Sequence, residues 1–120
     1  RIAVAHNASF DSEFIRHETL RCANLPELQS FGALSWICTL KLARRLLPTL
    51  DRHSLEALVR HFELVNESHH RALADARVTA TILVRHLLPL AQEQGCTHPD
   101  ELAILAEGGD WQKVKQASLF

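Results

Sequence analysis

The sequence predicts a helix-rich α/β domain. Two short apolar segments, residues 1–6 and 34–38, read as strands, and each runs straight into a segment with helical spacing. Most of the remaining chain up to Gly108-Gly109 keeps apolar residues at i, i+3, i+4. Two strands that no tight turn joins make a poor sheet by themselves. Either the domain is mostly helical, or the rest of its sheet precedes residue 1.

Arg1-Ile2-Ala3-Val4-Ala5-His6 is short and apolar and reads as a buried strand, whose backbone groups need neighbours. Asn7-Ala8-Ser9 is turn chemistry and supplies an N-cap. A helix over residues 10–22 follows, with Phe10, Phe14 and Ile15 inward and Glu13, Arg16 and His17 in water. Residues 24–32 hold Pro26 and Gly32 and read as a loop. After the second strand, Thr39 caps a helix through Leu47, with Leu40, Ala43 and Leu47 on its inner face. Lys41, Arg44 and Arg45 form either a solvated basic face or a set of phosphate contacts. Pro48 ends that helix.

Ser54 caps the next helix, where Leu55, Leu58, Val59 and Phe62 keep the i, i+3, i+4, i+7 pattern. Residues 66–68 form a loop. A long helix then reaches about Gln94, with Ala72, Ala76, Thr79, Leu83, Leu87 and Leu90 as its buried stripe and Pro89 as a kink or local break. Gly95 stops it. Pro99, Asp100 and Glu101 open a small final helix that Gly108-Gly109 closes, and residues 110–120 carry no clear signal.

The chain has 120 residues, a net charge of −1, 47% hydrophobic and 22% charged residues, which suits one ordinary domain with its own core. Near-neutral charge argues against bulk electrostatic binding to nucleic acid and leaves room for a local basic strip. Cys22, Cys38 and Cys96 are odd in number, widely spaced and without a Cys-x-x-Cys pair, so they read as buried or free thiols of a reducing compartment. A cytoplasmic location is expected. No apolar run approaches membrane-spanning length, and no signal peptide is visible.

Two acids and one histidine carry the chemistry. Asp11 falls in the first turn after the strand end, where the helix dipole favours an acid and where open α/β sheets build their sites. Asp75 lies on the side of its helix that carries Ala72 and Thr79, at the border of an apolar stripe, which is costly unless something positive meets it. His70, five residues earlier, belongs to the loop or first turn, from which it can reach the same site. Carboxylates that share a site stay ionised only around a cation, and oxygen ligands favour Mg²⁺ or Mn²⁺ over Zn²⁺. Taken singly, each residue reads equally as a solvated acid or a histidine flanking a helix start.

Together they resemble a known family. His6-Asn7-Ala8-Ser9-Phe10-Asp11 is similar to the second motif of DnaQ-like 3′–5′ exonucleases of the DEDDh type. His70-Arg71-Ala72-Leu73-Ala74-Asp75-Ala76 is similar to their third, His-x-Ala-x-x-Asp-Ala. Residues 36–48 match a stretch common in the family, and with residues 4–11 they look most like the exodeoxyribonuclease X branch. The resemblance covers about residues 2–88; residues 99–120 share it only faintly.

The resemblance implies a ribonuclease-H-like exonuclease fold, seen here as its helix-rich C-terminal portion with the early antiparallel strands missing. It implies residues 1–95 as the C-terminal part of the exonuclease domain and residues 96–120 as a C-terminal helix and tail. It implies release of nucleoside monophosphates from 3′ ends with two Mg²⁺ or Mn²⁺ ions, with Asp11 and Asp75 as metal-site carboxylates and His70 as general base. Asn7 matches a turn position, Phe10 a core position, and His69 is a bystander. The family's first motif, Asp-x-Glu, is absent, so its carboxylates are expected upstream of residue 1 and the chain as given is expected to be a fragment, inactive or weakly active alone. The expected partners are a single-stranded DNA 3′ end, with RNA open as well, and a polymerase; no membrane is expected.

The competing reading is a non-catalytic nucleic-acid- or polymerase-binding module that has lost the first motif. A helical metal site built from His69, His70 and His86 fails on distance, because sixteen helical residues between His70 and His86 span about 24 Å. Phe10, Trp36 and Trp111 read as core or tail packing before they read as platforms for bases.

Overall fold

A computed structural model describes residues 2–22, 24–26, 35–66 and 72–118. The chain begins with a β–α–β unit: β1 (Ile2–Ala5), α1 (Ala8–Arg21) and β2 (Ser35–Cys38). The strands pair in parallel, with Ile2 opposite Ser35 and Ala5 opposite Cys38. Both lie where the apolar runs predict them, but β1 is less buried than expected. Ile2 and Val4, on one face of it, are 42% and 39% exposed.

Helix α1 places Ile15 inward and Glu13, Arg16 and His17 outward as expected, but not Phe10 and Phe14. It lays Ala8, Ile15 and Thr19 towards the body of the protein and leaves Phe10 73% and Phe14 59% exposed. Phe10 therefore does not pack in the core. At 100° per residue it stands on the opposite side of the helix from Ala8. Ala8 leads because the chain enters α1 through Asn7 in the left-handed region (φ 67°), and the Ala8 N–H then donates to the Cys38 thiol at 3.3 Å.

Helix α2 (Thr39–Leu46) follows β2 without a loop. Its buried face is Leu42, Ala43 and Leu46 rather than Leu40, Ala43 and Leu47, which shifts the inner stripe by about a quarter turn. Thr39 is the first helical residue, and its hydroxyl serves another partner described below, so it caps nothing. Ser54 does cap α3 (Leu55–His61), accepting from the Ala57 N–H at 3.2 Å, and Leu58 is fully buried. Glu63, at φ 55°, closes α3.

The long helix is three pieces: α4 (Ala72–Ile82), a π-helical turn (Leu83–Leu87) and α5 (Leu88–Glu93). Pro89 lacks an N–H and its ring crowds the carbonyl four residues back, so the widened turn ahead of it is how the helix continues through a proline. The same turn presents His86 to Phe62, whose rings stack at 4.1 Å. The buried stripe is Val78, Thr79, Ile82, Leu87 and Ala91; Ala72 and Ala76, expected inside, are exposed. α4 packs on α3, and its first turns are mostly exposed.

Helix α6 (Pro99–Ala106) opens on its proline as expected, and packs on α2 and β2. Residues 111–118 form a further helix, α7 (Trp111–Ser118), that the sequence reading lacks. Trp111 anchors it in the core with Leu102 and Ala106. Gly95 (φ 87°) and Gly108 (φ 80°) both end helices in the left-handed region. Gly108→Ala is expected to destabilise the protein by about 1–2 kcal/mol, the cost of a Cβ in that region, as a lowered urea midpoint.

Candidate active site

Asp11 and Asp75 lie 64 residues apart and arrive by different routes. Asp11 sits in the first turn of α1, which β1 delivers, and Asp75 in the first turn of α4. Both are half-buried, and both border one cavity of about 550 Å³. Val4, Ala76, Ala80, Leu83 and Val84 form its apolar walls. A helix N-terminus favours an ionised carboxylate through the partial positive charge of its unpaired N–H groups.

Asp75 also borders a neighbouring cavity of about 610 Å³ between it, Asn66 and α3, with Leu55 on the wall of both. Asn66 Nδ2 donates to Asp75 Oδ1 at 2.9 Å and holds that carboxylate in place. The Asn66 Oδ1 is buried and has no hydrogen-bond partner among the described residues. His70, the expected general base, lies outside the described residues, as does His69.

His6 lines the same cavity as the two acids, yet both its ring nitrogens are engaged elsewhere. Nε2 meets the His53 carbonyl at 2.8 Å, and a carbonyl only accepts, so Nε2 carries the proton. Nδ1 then accepts from the Thr39 hydroxyl at 2.9 Å. His53 in turn donates from Nε2 to the Leu47 carbonyl at 2.7 Å. This chain ties the end of β1 to the start of α2 and to the loop before α3, and so sets where Asp11 begins its helix.

Burial pushes the His6 pKa below its usual value, helped by the nearby Arg44 charge and opposed by the His53 carbonyl. The folded ring stays neutral where the unfolded one, with a pKa of about 6.5, takes up a proton. Stability from His6 is thus full above about pH 6.5 and is lost as pH falls through the lower folded value. A urea midpoint that drops from about pH 7 to pH 5, and drops less in His6→Asn protein, is the expected result.

Asn7 behaves as a turn residue, its carbonyl accepting from the Phe10 N–H and its side chain from Ser9 Oγ. Cys38 and Cys96 are buried free thiols. Among the described residues, no three His, Cys, Asp or Glu side chains gather as a ready metal cluster, and no helix is long and apolar enough to cross a membrane. The sequence reading missed His6, Thr39, His53 and Asn66. The position of His6 directly before Asn7 was the available signal for one of them; Asn66 offered none.

A parallel β–α–β frame with two carboxylates bordering one cavity beside the end of β1 defines an α/β protein with a candidate site near its strand ends. The comparisons narrow that class. The profile of the family described as Exonuclease matches residues 1–83, and the chain belongs to this DnaQ-like exonuclease family. It is 36% identical over 101 residues to the DNA polymerase III PolC-type protein of Bacillus subtilis (strain 168), covering 84% of this chain and 7% of that one. It is 33% identical over 122 residues to the DNA polymerase III PolC-type protein of Streptococcus sanguinis, covering 99% and 8%. It is 41% identical over 85 residues to a Mycobacterium tuberculosis protein whose name gives it, provisionally, exonuclease and endonuclease activity, covering 68% and 12%. The chain thus spans about a tenth of the length of these relatives. No solved structure matches it.

Proposed function

We propose that this chain is the part of a 3′–5′ exonuclease of the DEDDh type that carries two of its carboxylates and its general base. The protein then removes nucleoside monophosphates from DNA 3′ ends in proofreading or repair. The observation that carries the reading is the shared cavity of Asp11 and Asp75. Their donor set, carboxylate oxygen in a half-buried recess, fits Mg²⁺ or Mn²⁺. Further oxygen ligands beyond these two acids complete such a site. When bound, a pair of such ions lowers the pKa of water and stabilises the leaving oxygen.

The chain's own residues do the rest. Asp11 and Asp75 present their carboxylates from the first turns of α1 and α4. Asn66 fixes the direction of Asp75. His6, neutral and doubly bonded, positions the start of α1. His70 accepts the proton of the attacking water, a contribution of about 10²–10⁴-fold. The names of the relatives support a polymerase partner, and residues 4–11 and 36–48 support a place near the exodeoxyribonuclease X branch. A cytoplasmic location goes with the free thiols.

The test gives single-stranded DNA, labelled at either end, to the protein that carries this chain together with those further ligands. Labelled mononucleotide released first from the 3′ label, with Mg²⁺ or Mn²⁺ and not with chelator, is expected. Binding of the strand without turnover under every metal condition would overturn the catalytic reading.

A further inference from the structure

We propose that the outer face of α2 is a phosphate-binding surface that grips a nucleic-acid strand away from its reacting end, with Glu107 restraining one of its three cations. Lys41, Arg44 and Arg45 stand at i, i+3 and i+4, and so share one side of the helix. Leu42, Ala43 and Leu46 bury the opposite side, which holds the basic face rigidly outward. The three cations, Ala106 and Glu107 border a recess of about 380 Å³.

The cations differ in their engagement. Lys41 Nζ is held by both carboxylate oxygens of Glu107, at 2.9 and 2.8 Å. Arg44 and Arg45 are exposed and have no carboxylate partner among the described residues. The Arg45 guanidinium occupies the space that a Cβ on Gly108 would take, so the α6–α7 turn leaves it a seat. The whole chain carries a net charge of only −1, so this cluster is a local concentration of charge. A guanidinium fork matches phosphate oxygens two at a time, and phosphates recur along a strand at a spacing a helix face can follow. Arg44 is close enough to His6 to act on its charge, and His6 borders the cavity of the two acids. A strand held on α2 therefore stays within reach of the proposed reaction site. The choice of nucleic acid as occupant rests on the exonuclease reading above.

The experiment measures binding of a fluorescein-labelled single-stranded oligodeoxynucleotide to the full protein by anisotropy across a salt series, in chelator. Each phosphate contact contributes about 0.7 to the log–log salt slope for single strands. The double variant Arg44→Gln/Arg45→Gln is expected to bind more weakly, with the slope reduced by about 1.4. Glu107→Gln, which frees Lys41, is expected to bind more tightly, with the slope raised by about 0.7. Glu93→Gln makes the same charge change on α5 and controls for net charge. Unchanged slope in the double variant, or equal tightening in Glu107→Gln and Glu93→Gln, would overturn the proposal.

Hydrolysis of a nitrophenyl ester of thymidine monophosphate separates this from the catalytic reading, because so small a substrate does not span α2. Loss of binding in the double variant with ester hydrolysis intact supports both. The slopes shifting as expected in a protein that hydrolyses nothing supports the surface alone. Hydrolysis by a protein whose slopes do not shift overturns the surface alone.

Discussion

Asp75→Asn protein is expected to release 3′-terminal nucleotides at least about 10³-fold more slowly than wild type. The proposed ions stabilise charge in the transition state by several kcal/mol, and each 1.36 kcal/mol is tenfold in rate. An amide oxygen keeps the shape of the carboxylate and can still meet Asn66, which now donates to Asp75 at 2.9 Å. Folding should therefore survive, and the loss should appear in kcat rather than in the melting temperature. Asp11→Asn should behave alike, because both acids border one cavity. Single-turnover release from a 3′-labelled strand measures it. Full activity in Asp75→Asn would remove that residue from the site.

The second large effect concerns stability. Leu42→Ala is expected to cost about 2–5 kcal/mol, read as a drop in the urea midpoint with unchanged slope. Leu42 is fully buried on the face of α2 that meets the rest of the core, and α2 packs on α6, β1 and β2. Truncation leaves a cavity that four elements would have to close together. Leu40→Ala, on the neighbouring and less buried stripe, should cost clearly less. Equal costs at the two positions would contradict the observed orientation of α2.

What was readable locally came through wherever one short segment decides its own shape. Ser54, Gly95 and Pro99 act on backbone groups within five residues of themselves, and each ends or begins its helix as expected. The two strands are legible for the same reason, since short apolar runs next to helical spacing are a local pattern. Asp11 and Asp75 were also nameable, through motifs in order and through helix starts that favour acids.

Orientation was not legible. Phe10 and Phe14 are large and apolar, yet they face outward, because α1 meets β1 and β2 and the residues it buries are Ala8 and Thr19. Ala72 and Ala76 likewise continue an apolar stripe on paper and stand exposed, since only the later turns of that helix reach the core. Helix α7 escaped notice because Trp111 makes sense only against Leu102 and Ala106.

The sequence by itself determined the β–α–β start, the cap at Ser54, and the helix stop and start at Gly95 and Pro99. Each of these follows from steric or hydrogen-bonding preferences that act within a few residues. Only the tertiary structure decided that Asp11 and Asp75 open onto one cavity, that His6 is bound to Thr39 and the His53 carbonyl, and that Asn66 holds Asp75. Those contacts join residues between 9 and 64 positions apart, and what brings such distant groups together is the burial of Leu42, Leu58, Ile82 and Leu87, a non-directional force that no local pattern encodes.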